Sequence, residues 1–210
     1  MNMQIMPTPA VEPVVGTFLG GLSGGKPIQT LSIADARDVL SSVQKSAAVT
    51  LADVQIKDVM LPLGPTGSTS IRVVRPAGAT GALPAIIYMH GGGWVLGYRE
   101  THDRLIRELA IGANAALVFV DYERSPEARY PVAIEQGYAV AKHVADNADK
   151  LMIDGGRMVI AGDSVGGNMA AVIALLAKER KGPDFKAQLL FYPVTDGSMA
   201  TRSYEQFAIG

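Results

Sequence analysis

Short runs of residues that are apolar on both faces recur along this 210-residue chain, with segments of helical spacing between them. The runs are "PAIIYMH" (84–90), "ALVFVDY" (116–122), "RMVIAG" (157–162) and "KAQLLFYPV" (186–194). A strand with one wet face alternates apolar and polar residues, whereas a strand apolar on both faces needs cover on both sides. Such strands alternate here with "THDRLIRELAIGA" (101–113) and "PVAIEQGYAVAKHVADNADKL" (131–151), which predicts the α/β class: a doubly wound, mostly parallel sheet. Two further strands, "ADVQIKDVMLP" (52–62) and "TSIRVVRP" (69–76), flank the turn "LGPTG" and bring the expected count to six. The last run, 186–194, reads as an internal strand.

In open sheets of this kind ligands bind beyond the carboxyl ends of the strands. Four chemically distinctive stretches fall at those ends: "HGGGW", "DYERSPE", "GDSVGG" and "YPVTD". Before the sheet, a Pro- and Gly-rich entry leads to "LSIADARDVLSSVQ" (31–44). There Ser32 and Asp35 have the spacing of a capping box, and Ile33, Ala36 and Leu40 share a face. A helix over 32–45 is expected, outside the sheet.

Composition narrows the function classes. A net charge of −1 lacks the basic field that phosphate-binding proteins carry, so no nucleic-acid partner is expected. The absence of cysteine removes disulfides, thiolate catalysis and cysteine-based zinc clusters. The opening "MNMQIMPTPAVEPVVG" has no basic stretch and is broken by Pro7, Pro9 and Pro13, and no apolar run has membrane-spanning length. The expectation is a soluble, cytoplasmic protein.

Two serines sit in Gly-x-Ser-x-Gly patterns. Ser23, in "GLSGG", follows no strand, and the nearby Gly25-Lys26-Pro27 has proline where a phosphate loop needs Ser or Thr; Ser23 reads as loop. Ser164 follows the strand "MVIAG" and opens a helix with an apolar stripe, as a nucleophile on a sharp turn requires. The small neighbours Gly162, Gly166 and Gly167 suit so tight a turn, and the helix start aims free N–H groups at the serine. Upstream, His90-Gly91-Gly92-Gly93 follows another strand, and glycines let backbone N–H groups approach a developing oxyanion. The expected donors are the N–H groups of Gly91, Gly92 and Val165, with His90, Gly93, Asp163 and Gly166 in support. Trp94 reads equally as a site wall or as core, and Asp121 and Glu127 as braces of the rim loops.

The motifs "HGGGWVLGYRETHD", "DYERSPEARYP", "GDSVGGNMA" and "YPVTD", in that order, resemble the α/β-hydrolase fold and within it the hormone-sensitive-lipase-like esterases. The resemblance covers about residues 30–210. It implies a serine carboxylesterase for short- to medium-chain carboxylic esters, acting through an acyl-enzyme on Ser164 with no metal or organic cofactor. It also implies that residues 1–50 are an N-terminal cap segment, that 51–196 form the hydrolase core without its last strands, and that 197–210 start a second cap segment. Glu123, Arg124 and Ser125 depart from the Arg, Leu and Ala usual in the family, and Val165 replaces the usual Ala.

The family orders its triad Ser, then acid, then His. All three histidines of this chain, His90, His102 and His143, precede Ser164. The triad Asp and His are therefore expected beyond residue 210, with these 210 residues inactive by themselves, and Asp196 is kept as a pocket residue. The alternatives are a non-catalytic small-molecule-binding module of the same fold and an amidase or aryl-formamidase. A small-molecule ester is the expected partner, with a homodimer left open.

Overall fold

A computed structural model describes residues 11–22 and 24–207; Ser23 lies outside them. In chain order the elements are α1 (Pro13–Leu22), α2 (Ile33–Ser46), β1 (Val54–Leu61), β2 (Thr69–Pro76), β3 (Leu83–Met89) and α3 (Asp103–Gly112). There follow β4 (Ala116–Asp121), α4 (Val132–Asp146), β5 (Ile153–Asp163), α5 (Val165–Glu179), β6 (Phe185–Phe191) and α6 (Arg202–Phe207). One six-stranded sheet has the order β1-β2-β4-β3-β5-β6. β1 and β2 pair antiparallel, as do β2 and β4, whereas β4, β3, β5 and β6 run parallel. The carboxyl ends of these four parallel strands therefore share one rim, where the distinctive stretches lie.

The runs in β3, β4 and β5 have the cover they require. On one face Ala85, Ile87, Met89, Val118, Val120 and Ile160 pack with α4 and α5 through Val140, Val144, Met169 and Ile173. On the other face Ile86, Tyr88, Leu117 and Phe119 pack against Ile106 and Ala110 of α3. Helices on both sides of β3 and β4 explain why nearly every residue of those strands is buried.

Three elements differ from the sequence reading. α1 was not expected; Pro13 stands at its first position, where the missing N–H costs nothing and the fixed φ suits a helix, so proline there starts the helix. α4 stops at Asp146, short of residue 151, because Asn147 leaves the helical region and caps the His143 carbonyl. The last run forms a strand only over Phe185–Phe191, short of residue 194; among the described residues it pairs with β5, and Lys186, Ala187, Gln188 and Leu189 are exposed. The expected α2 is present, and Ser32 caps it, its Oγ accepting from Asp35 N–H at 3.1 Å. No helix among the described residues is long and apolar enough to cross a membrane.

Burial separates two isoleucines by consequence. Ile87→Ala, at a fully buried position of the central strand, should cost about 2–5 kcal/mol because the cavity left behind cannot collapse. Ile56→Ala on the exposed β1 should cost less than about 0.5 kcal/mol. Urea midpoints of the two variants against the parent check both.

Candidate active site

Ser164 sits between β5 and α5 with φ 54° and ψ −120°, a conformation that costs a non-glycine residue about 1–3 kcal/mol. Three hydrogen bonds hold it there: its N–H donates to Phe191 O at 2.9 Å, and its carbonyl accepts from Asn168 N–H and from Val194 N–H, each at 3.1 Å. The turn packs backbone against backbone. A Cβ on Gly166 would stand 2.1 Å from Met89 O and 2.7 Å from His90 C, so only glycine lets α5 start this close to the end of β3. Asn168, one turn into α5, donates from Nδ2 to Val194 O at 2.8 Å and ties the helix to the segment after β6.

The glycine loop after β3 lies beside this turn, and a Cβ on Gly91 would stand 2.9 Å from Asp163 O. Gly92 has φ 108°, and a Cβ there would meet Leu96 O at 2.5 Å, because the Val95 and Leu96 N–H groups fold back onto the Gly92 carbonyl. Gly91 does not serve as expected. Its N–H donates to Asp163 Oδ1 at 3.0 Å and is spent on fixing the loop. The N–H groups of Gly92, Gly93 and Val165 have no acceptor among the described residues.

Asp163 is the hub beneath the loop. Its Oδ1 accepts from Gly91 N–H and from Tyr88 OH at 2.9 Å, and lies 3.5 Å from His102 Nε2. Burial pushes its pKa up, but the hydrogen bond and charge of His102, with those of Tyr88 and Gly91, outweigh burial and hold it below the usual aspartate value. His90 is fully buried, stacked on Tyr122 at 4.1 Å and on Phe119 at 5.2 Å, with Tyr122 OH donating to its carbonyl. Its Nδ1 contacts Gly91 O at 2.8 Å, which places the proton on Nδ1, while Nε2 has no partner among the described residues. Burial, assisted by the nearby His102, pushes its pKa down to about 3, so His90 is a neutral strut of the loop.

Two hollows meet at the glycine loop. One, of about 390 Å³, is lined by Gly93, Trp94, Tyr130, Ile134, Asn168 and Val172. The other, of about 470 Å³, is lined by Gly91, Gly92, His102 and Asp163 together with Leu40 and Tyr192. Trp94 thus resolves as both wall and core, since it also packs against the main hydrophobic cluster. Asp196 is corrected: it is exposed and its carboxylate turns back on Ser198, accepting from the N–H at 2.9 Å and the hydroxyl at 3.0 Å, away from both hollows.

Neither His102, bound to Thr101 and Asp163, nor His143, beside Asn147 on α4, is hydrogen-bonded to Ser164. Among the described residues no cluster of His, Cys, Asp and Glu could hold a metal. Sequence reasoning missed Tyr88, Asn168 and Arg37, which hold the rim through contacts 26 to 90 residues away in sequence, and nothing local marks them.

A strained serine at a strand-to-helix turn, with a glycine loop after a neighbouring parallel strand, agrees with what the comparisons find. Residues 86–209 match the family described as alpha/beta hydrolase fold. The chain belongs to that family. It is similar to the carboxylesterase NlhH of Mycobacterium tuberculosis, at 43% identity over 66% of this chain and 43% of the relative. The ethyl acetate hydrolase of Pseudomonas putida is 32% identical over 90% of this chain and 62% of the relative. Among solved structures, a thermostable esterase from Pseudomonas putida ECU1011 superimposes with TM-score 0.92 at 47% identity, covering 97% of this chain and 64% of that one. This α/β hydrolase thus spans less than two thirds of the length of each of these relatives.

His90 gives a pH signature. Its folded pKa of about 3 lies below the ordinary value of 6.5, so the unfolded chain binds the extra proton first as pH falls. Stability should therefore drop between about pH 6 and pH 4 by on the order of 1 kcal/mol per pH unit from this group. His90→Phe keeps the stacked ring and cannot titrate. Urea midpoints measured across that range should fall less steeply for the variant than for the parent.

Proposed function

We propose that this α/β hydrolase is a serine carboxylesterase acting on short- to medium-chain carboxylic esters. The observation that carries the reading is Ser164, held at φ 54° beside the three uncommitted N–H groups of Gly92, Gly93 and Val165. The Ser164 hydroxyl attacks the ester carbonyl, and the charge that develops on the carbonyl oxygen meets those donors, already aimed and without reorganisation. The alcohol leaves with a proton, an acyl-enzyme remains on Ser164 Oγ, and water hydrolyses it. The mostly apolar hollow beside Trp94 and Ile134 suits an acyl chain of modest length.

The hydroxyl needs a base, and the three histidines present are engaged elsewhere. In this reading a further histidine and its carboxylate partner act on Ser164 from outside residues 1–210. Ester hydrolysis by the relatives named above supports the reaction class. One observation favours a second reading, ligand binding without turnover: Ser164 Oγ meets no base among the described residues. An amidase or aryl-formamidase would use the same nucleophile, and rates on ester and amide of one acyl group separate them.

Assay of the full-length protein on p-nitrophenyl butyrate tests the proposal. Ser164→Ala should lower kcat by about 10⁶-fold while leaving the fold intact, and residues 1–210 alone should be similarly depressed. Full activity in Ser164→Ala would sink the acyl-enzyme. Saturable binding of the ester with no product in the full-length protein would favour the second reading.

A further inference from the structure

Arg37, on α2, reaches out of the N-terminal segment into the rim of the site. Its Nε donates to Val95 O at 2.8 Å, its Nη2 to Ser125 O at 3.1 Å, and Nη1 and Nη2 grip the two carboxylate oxygens of Glu127 at 2.7 and 2.9 Å. Ser125 N–H in turn donates to Trp94 O at 2.9 Å, and Arg124 Nη1 to Gly97 O at 2.7 Å. The glycine loop is thus pinned at Trp94, Val95 and Gly97 by residues far from it in sequence. The pinned stretch is the strained one: Gly92, Gly93 and Trp94 have φ 108°, 62° and 60° in succession. Trp94 gains nothing local from that conformation, and such a residue keeps it only where its surroundings over-determine it.

We propose that Arg37 is a positioning residue for the reaction: it locks the Gly92–Gly93–Trp94 run, and through it the direction of the free Gly92 and Gly93 N–H groups. The N-terminal helix is then part of the oxyanion apparatus. A guanidinium is suited to the task because its planar fork serves two carbonyls and a carboxylate at once. Glu127 completes the fork, and the hydrogen bond from Arg37 holds its carboxyl down at about 2, so it stays ionised at any working pH. The Arg37 side chain is 20% exposed against 60% for Glu127, so the carbonyl contacts are the sheltered part of the strap. This inference rests on the esterase reading for its kinetic consequence and on geometry alone for its structural one.

Trp94 is the single tryptophan of residues 1–210, and with any tryptophan outside them replaced by phenylalanine its emission reports on the loop alone. In the full-length protein, Arg37→Ala should lower kcat on p-nitrophenyl butyrate about 10²-fold, the scale of an ångström-level misplacement of catalytic groups. KM should move by less than about threefold, because the donors act on the transition state and little on bound substrate. Trp94 emission should shift to the red, with easier quenching by acrylamide. Arg37→Lys, a single point charge, should fall between Arg37→Ala and the parent on both readouts. Parental kcat and emission in a folded variant overturn the proposal; Arg37→Lys decides should the alanine variant fail to fold. A loss of activity that only tracks the loss of folded protein, followed by far-UV circular dichroism, overturns it too. A full-length protein inactive on every ester, yet with Trp94 emission responding to Arg37→Ala, sinks the esterase reading and keeps the strap.

Discussion

The close approach of the Ser164 turn to the end of β3 is the contact on which the rest of the site depends. Backbone packs on backbone there, with no room for a Cβ at Gly166. The contact brings a helix N-terminus, a serine and the loop after His90 within reach of one another, although they come from two strands some seventy residues apart. A site on side chains alone could shift with each rotamer. One built from the main chain of two adjacent parallel strands inherits the rigidity of the sheet.

A carboxylate then fixes the loop to the strand it neighbours. Asp163 is largely buried, and an ionised group there is tolerated because Tyr88, His102 and Gly91 all point hydrogen-bonding groups at it. The cost is one backbone donor: Gly91 N–H serves the carboxylate and cannot serve a substrate. The consequence is geometric. The unpartnered N–H groups begin one residue later, at Gly92, where the chain turns into the left-handed region beside the hollow lined by Gly91, Gly92, His102 and Asp163.

Several departures from the family pattern become intelligible at the rim. Glu123 accepts from Gln136 Nε2 at 2.7 Å and from Thr66, Arg124 reaches Gly97 O and lies over the Tyr98 ring, and Ser125 Oγ donates to Ala128 O. Each substitution is absorbed by a polar partner that the loop or a neighbouring element supplies. Arg124, together with the Ser125 N–H on Trp94 O, ties the loop after β4 to the glycine loop, and α2 closes the assembly from outside through Arg37.

The layered α/β fold and the tight turn that carries Ser164 were legible in the sequence, because both are written in local pattern: apolar runs without polar interruption, and glycines around a serine between a strand and a helix. α1 was hidden by Pro13, whose meaning reverses with its place in a helix. The assignment of Gly91 as a donor failed for a different reason. Which of three consecutive glycines points at a ligand is decided by the acceptors that reach them, and the acceptor here is Asp163, seventy-two residues away. Arg37 reads as an ordinary surface arginine in a short amphipathic helix until the fold sets Val95, Ser125 and Glu127 around it. The sequence by itself determined most of the strands and helices and the turn on which Ser164 sits, because those follow from residues within a few positions of one another. Only the tertiary structure decided which N–H groups are spent and which are free, because each hydrogen bond is assigned by proximity in space.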